Sequence, residues 1–136
     1  MSYNKPLPKL DPLTTPFWEH ARRNILALQT CRACNDAHLP PSPVCPKCLS
    51  TDQDWKPASG RGVLEAYAEF HRAYWPGFND DIPYSSAIVR LEEGPLMATN
   101  LVGDTTNARV GKAVEVIFDI VSPELALPKF RLASDD

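Results

Sequence analysis

A chain of 136 residues with 14 Lys and Arg against 17 Asp and Glu has room for one modest core and a small appendage, at a net charge of −3. Its longest apolar run is a few residues, too short for a membrane-spanning helix. From Arg61 to Ile120 five basic residues face nine acidic ones, which argues against binding to a nucleic-acid backbone.

Nine of the 14 prolines fall before residue 60, so a loop-rich N-terminal part should precede a more regular C-terminal one. Residues 1–13, with Pro6, Pro8 and Pro12, form an extended tail. A helix then starts, with Thr15 as cap, Pro16 at the first helical position and Glu19 in the first turn. Phe17, Ala21, Ile25 and Leu28 make one apolar stripe. The helix can end near Asn24, because Leu26 and Leu28 also fit a short strand leading into Cys31. Phe17 and Trp18 are either core residues or, with the tail, a docking surface for a partner.

Four cysteines follow in two pairs, Cys31-x2-Cys34 and Cys45-x2-Cys48, separated by ten residues. A C-x2-C step points two thiolates of one tight turn at the same ion, and two such turns supply four soft ligands for tetrahedral Zn²⁺. With all four positions taken by protein thiolates the site is closed and structural, and a ribbon this small depends on its metal to fold. Two disulfides would need an oxidising compartment, and MSYNKPLPKL has no secretory h-region, so a cytoplasmic protein is expected. A single redox C-x2-C would sit near a βαβ pattern, which is absent here.

From about Asp54 the pattern is β. Val63–Phe70 alternates, with Leu64, Ala66, Ala68 and Phe70 expected on one face and Glu65 and Glu69 on the other. Tyr84–Leu91 and Leu96–Val102 form a hairpin around Glu92–Pro95. A loop at Gly103–Asn107 leads to a long strand, Ala113–Val121, with Val114, Val116, Phe118 and Ile120 on one face. Lys129–Ala133 is a short closing strand. Five strands with no helix strong enough to cover a sheet close on themselves, and a Greek-key barrel of the OB type is the natural solution. The expected fold is mainly β: an N-terminal helix, a four-cysteine zinc ribbon, then a five-stranded OB-fold-type β-barrel. The expected parts are 1–30 for tail and helix, 31–57 for the ribbon and 58–136 for the barrel.

No cysteine is left over as a nucleophile once all four hold metal, and no G-x-S-x-G, Walker loop or dinucleotide fingerprint occurs. Of His20, His38 and His71, only His71 opens an unusual segment, His71–Pro83. That segment carries Tyr74, Trp75 and Phe78, the composition of an interface anchor or of a plug for the barrel end. The pairs Asp80-Asp81 and Glu92-Glu93 suit turns better than catalysis.

In order along the chain stand Phe17-Trp18, Leu28-Gln-Thr-Cys-Arg-Ala-Cys34, Pro40-Pro41, Cys45-Pro-Lys-Cys48 and Ser59-Gly-Arg-Gly62. They continue with Pro83-Tyr84, Val89–Gly94, Val110-Gly111-Lys112 and Leu127-Pro-Lys-Phe-Arg131. This succession resembles a family of small bacterial and archaeal acyl-CoA-associated proteins. These have an N-terminal helix, a rubredoxin-like zinc ribbon and a C-terminal OB-fold, and are typically encoded with thiolase-like enzymes. The resemblance runs from about Pro16 to Arg131. It implies a non-catalytic accessory subunit of a thiolase-like enzyme that makes or breaks carbon–carbon bonds in β-ketoacyl-CoA or β-hydroxyacyl-CoA thioesters. The partner would be a thiolase, an aldolase or an acyltransferase.

On that reading the complex is a heterotetramer with two copies of each chain. Acyl-CoA is shared with the partner, and neither nucleic acid nor membrane is bound. Phe17, Trp18, His71, Tyr74, Trp75, Phe78 and Tyr84 are the candidate partner or substrate-channel residues, and Cys31, Cys34, Cys45 and Cys48 the Zn²⁺ ligands. Two alternatives remain: an OB and zinc-ribbon module for single-stranded nucleic acid, with Tyr67 and Phe70 available for stacking, and a stand-alone acyl-CoA-binding protein.

Overall fold

A computed structural model describes residues 11–71, 77, 84–123 and 125–133. The tail up to residue 10 and the segment holding Tyr74, Trp75 and Phe78 lie outside these residues. Asp11 sets the first turn. Its Oδ1 accepts the Thr14 N–H at 2.8 Å, and its carbonyl accepts the Thr15 N–H at 2.8 Å and the Thr15 hydroxyl at 2.6 Å. Helix α1 (Thr15–Ala21) follows, with Thr14 rather than Thr15 at the N-cap position, though without a side-chain cap, and with Pro16 in its first turn, where a missing N–H costs nothing. The first turn holds no acidic residue, so Glu19 does not act there.

The apolar stripe expected through Ile25 and Leu28 stops at Ala21, because Asn24 takes the left-handed conformation (φ 63°) that ends the turn. Leu28 is buried instead on strand β1 (Ala27–Cys31), all five residues of which are buried. Strands β2 (Ala37–His38) and β3 (Gln53–Pro57) flank β1 on either side, both antiparallel. β1 is thus the centre of a three-stranded sheet.

Five strands form the barrel: β4 (Arg61–Phe70), β5 (Tyr84–Leu91), β6 (Leu96–Leu101), β7 (Ala113–Ser122) and β8 (Leu125–Leu132). They close in the order β4-β5-β6-β8-β7, with β7 returning to β4. The parallel contact of Leu101 with Phe130 seals the barrel. This is the Greek-key closure of an OB-fold, as expected from the strand pattern. Two glycines make the entry to β4 possible. A Cβ on Gly60 (φ 80°) would lie 2.6 Å from Val116 Cγ1, and one on Gly62 would lie 2.5 Å from the Arg90 carbonyl oxygen.

Three expectations need correction. A β-bulge between Leu64 and Ala66 shifts the register of β4. Leu64 faces the core, but beyond the bulge Tyr67 and Glu69 pair with the buried Ala87 and Ser85, while Ala66 and Ala68 pair with Ile88 and Ser86 on the outer face. One extra residue flips every side chain after it, so strict alternation from Leu64 to Phe70 does not hold. Ile120 does not join Val114 in the core; it is 69% exposed, next to an irregularity in the β7–β8 register. The last strand is Leu125–Leu132 rather than Lys129–Ala133, since Pro128 is tolerated opposite Phe118.

Leu64, Val89, Leu91, Leu101, Val114 and Phe130 fill the barrel, and Phe17, Leu26 and Leu28 belong to the same buried cluster. Helix, ribbon and barrel therefore share one core.

Candidate metal centre

Each Cys pair sits on a tight turn of the same construction. Asn35 N–H donates to the Cys31 carbonyl and Leu49 N–H to the Cys45 carbonyl, both at 2.8 Å. Cys31 N–H donates to the Asp36 carbonyl at 2.9 Å and Cys45 N–H to the Ser50 carbonyl at 2.8 Å. The residue after each second cysteine is left-handed, Asn35 at φ 63° and Leu49 at φ 67°. Asn accepts that conformation readily; Leu49 adopts it while 72% exposed.

These two turns bring the four Sγ atoms within 4.8 Å of one another, with Cys31–Cys48 and Cys34–Cys45 at 3.6 Å. A tetrahedral zinc with Zn–S bonds of about 2.3 Å needs sulfurs about 3.8 Å apart, so the donor set fits the ion. Cys31 and Cys45 are buried, Cys34 is half-buried and Cys48 is exposed.

The thiols by themselves are mismatched. The Cys34 N–H, above all, draws Cys31 down to about 7. At Cys34 the Asp36 N–H works in the same direction, but burial and the neighbouring sulfurs outweigh it and push the thiol up to about 12. At Cys48 the Ser50 N–H is likewise outweighed, by the Cys31 sulfur and by burial, and the thiol is raised. One thiolate forms easily and its neighbours then resist ionisation; a divalent cation removes that conflict. Bound there, Zn²⁺ ties the two turns together and leaves no coordination position open for chemistry.

Behind the cluster lies a buried polar network. Gln29 Oε1 accepts the Ser42 N–H at 2.7 Å and lies 2.7 Å from His38 Nε2, so His38 donates from Nε2. Gln53 Nε2 donates to the Ser42 carbonyl at 2.9 Å. His38, unremarkable in the sequence, thus fixes the chain between the two Cys pairs. His20 Nδ1 bonds the Pro16 carbonyl at 2.6 Å, a local helix contact.

The other candidate residues fall in two places. Phe17 is buried and Trp18 half-buried, their rings edge to face at 4.8 Å. They line an apolar groove of about 480 Å³, completed by Leu39, Pro40 and Pro41 of the ribbon and by Ile88, Leu96 and Met97 of the barrel. Tyr84 opens β5, half-buried, edge to face with Phe70 at 5.1 Å, and His71 is exposed just after β4. Leu39, Ile88, Leu96 and Met97 carry no sequence signal for this role. No periodicity marks them, because the groove forms only when three separate parts of the chain meet. The described part contains no helix long and apolar enough to cross a membrane.

Two family descriptions match: the ChsH2 rubredoxin-like zinc ribbon domain over residues 18–53 and the ChsH2 C-terminal OB-fold domain over residues 55–119. The chain is 36% identical over 95% of its length to a probable enoyl-CoA hydratase alpha subunit of Thermomonospora curvata, of which it spans only 40%. It is 30% identical to a DUF35 domain-containing scaffold protein of Methanocaldococcus jannaschii, over 79% of this chain and 78% of that one. Among solved structures, a chain of an Ltp2-ChsH2(DUF35) aldolase superposes with a TM-score of 0.84 at 36% identity, covering 94% of this chain and all of that one. A DUF35 protein of unknown function from Sulfolobus solfataricus, at 16% identity and a TM-score of 0.63, shares the fold over 90% of this chain and 86% of that one. With its zinc ribbon and its barrel both matched in order, the chain belongs to the ChsH2 (DUF35) family of zinc-ribbon and OB-fold proteins.

Proposed function

We propose that this chain is a zinc-stabilised, non-catalytic accessory subunit of a thiolase-like enzyme that makes or cleaves carbon–carbon bonds in β-ketoacyl-CoA or β-hydroxyacyl-CoA thioesters. The observation that carries this reading is the likeness, over nearly the whole chain, to a chain of an Ltp2-ChsH2 aldolase. The name of the Thermomonospora curvata relative supports the acyl-CoA class. The name of the archaeal relative, a scaffold protein, supports a structural role. The chain's own chemistry points the same way. All four cysteines converge on one closed site, which leaves none of them as a free nucleophile.

In this reading the partner supplies the reacting groups. The accessory chain offers Phe17 and Trp18 from the groove, with Tyr84, His71 and the aromatics Tyr74, Trp75 and Phe78, and walls part of the acyl-CoA channel. Two copies of each chain make the complex, which works in the cytoplasm. The test is purification of the chain alone and together with a thiolase-like protein of the same genome. The chain alone should not turn over a β-ketoacyl-CoA or β-hydroxyacyl-CoA, and the pair should co-elute and do so. Turnover by the chain alone, free of thiolase, would overturn the non-catalytic reading.

A further inference from the structure

The two sides of the barrel differ in where their charges stand. On the outer face of β7 and β8, Glu115 pairs with Arg131 at 2.8 Å and Asp119 with Lys129 at 2.7 Å, the ordinary dress of a solvated sheet. The outer face of β4, β5 and β6 holds its described ion pairs, Arg61 with Glu92 and Glu65 with Arg90, only at the end near the β5–β6 turn. Its two central rows run Ala66–Ile88–Ala98 and Ala68–Ser86–Asn100 across the three strands. Ala66, Ala68 and Ala98 are exposed, the others half-buried, and no charge stands in either row. Along β5 the first charge is Arg90 at the turn end, neutralised by Glu65 at 2.7 Å.

In an OB-fold this is the face, built on the second and third barrel strands, that usually takes ligands. Polynucleotides need free cations there, and the described cations of this face, Arg61 and Arg90, are both paired with carboxylates at one end. Charge depletion on an otherwise charged surface is instead the compositional mark of a protein interface core. We infer that the outer face of β4, β5 and β6 is the seat of a protein partner, an uncharged apolar surface of the enzyme subunit this chain serves; this rests on the function proposed above. Size bears on the choice of occupant. Three strands of this length present about 300 Å², against the ~800 Å² per partner of a stable interface. A second copy seated on the sheet face alone would bury too little. A larger subunit can continue onto the adjoining groove, which shares Ile88 and Ala98 with this face.

The experiment places single charges on the two sides of the full-length zinc-loaded chain and measures binding to the co-purifying thiolase-like subunit. Ala68→Glu on β4 and Ala98→Glu on β6 should each weaken association about 100-fold or more, because a buried charge would lack a partner. Arg131→Glu on the opposite side should bind within about threefold of wild type. Ala68→Ser, small and uncharged, should also bind normally. Zinc content and melting temperature of each variant separate lost binding from lost folding, since Ala68 and Ala98 are exposed in the free chain. Equal binding by both Glu variants and wild type overturns the assignment of this face. So does self-association through it, or a complex with single-stranded DNA that the Glu variants abolish. Failure of the wild-type chain to bind any thiolase-like protein counts against the proposed function itself.

Discussion

Metal loading of the four-thiol cluster should be visible as protons. A zinc tetrathiolate requires all four groups ionised. At neutral pH the Cys31 thiol, drawn to about 7, is half ionised, whereas Cys34, pushed up to about 12, and Cys48, also raised, both keep their protons. Uptake of one Zn²⁺ at pH 7 should therefore expel about 2.5 protons from these three groups, with any from Cys45 in addition. The bound state carries fewer protons than the free one, so raising the pH favours binding, and lowering it releases metal. Near pH 7 the apparent affinity should rise by roughly 300-fold or more per pH unit. The assay is titration of zinc into chelator-stripped, reduced protein in two buffers of different ionisation enthalpy, at three pH values between about 6 and 8. Release of less than about one proton per zinc, or an affinity flat across that range, would refute a tetrathiolate site at Cys31, Cys34, Cys45 and Cys48.

The same cluster makes Cys45→Ser a folding lesion, and soluble yield with zinc-to-protein ratio should both collapse, because the ribbon strands share their core with the barrel. Phe130, fully buried where β8 closes on β6, should cost about 3–5 kcal/mol as Phe130→Ala by urea denaturation, against ~1 kcal/mol for Phe130→Leu. Gly62→Ala drives a Cβ against the Arg90 carbonyl oxygen and should lower stability by more than ~1 kcal/mol, read in the same way. Arg32→Ala, which breaks exposed pairs to Asp52 and Asp54, should stay within about 1 kcal/mol of wild type.

Where a signal is local, the sequence carries it. The two C-x2-C turns specify the thiolate cluster because four residues of one turn decide where two sulfurs point. Strand β5 is legible to the residue, since Ser85, Ala87, Val89 and Leu91 alternate without interruption against the core. The bulge after Leu64 is hidden, because an extra residue in β4 is settled by pairing with β5 and leaves no mark in composition. Residues 125–128 fall outside the short closing strand that the sequence suggests, yet Leu125 and Ala126 are buried and β7 supplies the pairing. The groove beside Trp18 is legible only as two aromatics in search of cover. Its other walls, Pro40, Pro41, Ile88 and Met97, are set by how ribbon and barrel meet, a tertiary fact with no periodicity of its own.

The central claim is that this chain serves another protein's chemistry. Co-expression with a thiolase-like protein of its own genome, followed by mass measurement of the eluted species and assay with acyl-CoA thioesters, tests it most directly. The account predicts a stable complex containing equal numbers of both chains, active only as the complex. A chain that elutes alone under conditions where it is folded and zinc-loaded, beside a partner fully active without it, would contradict the account.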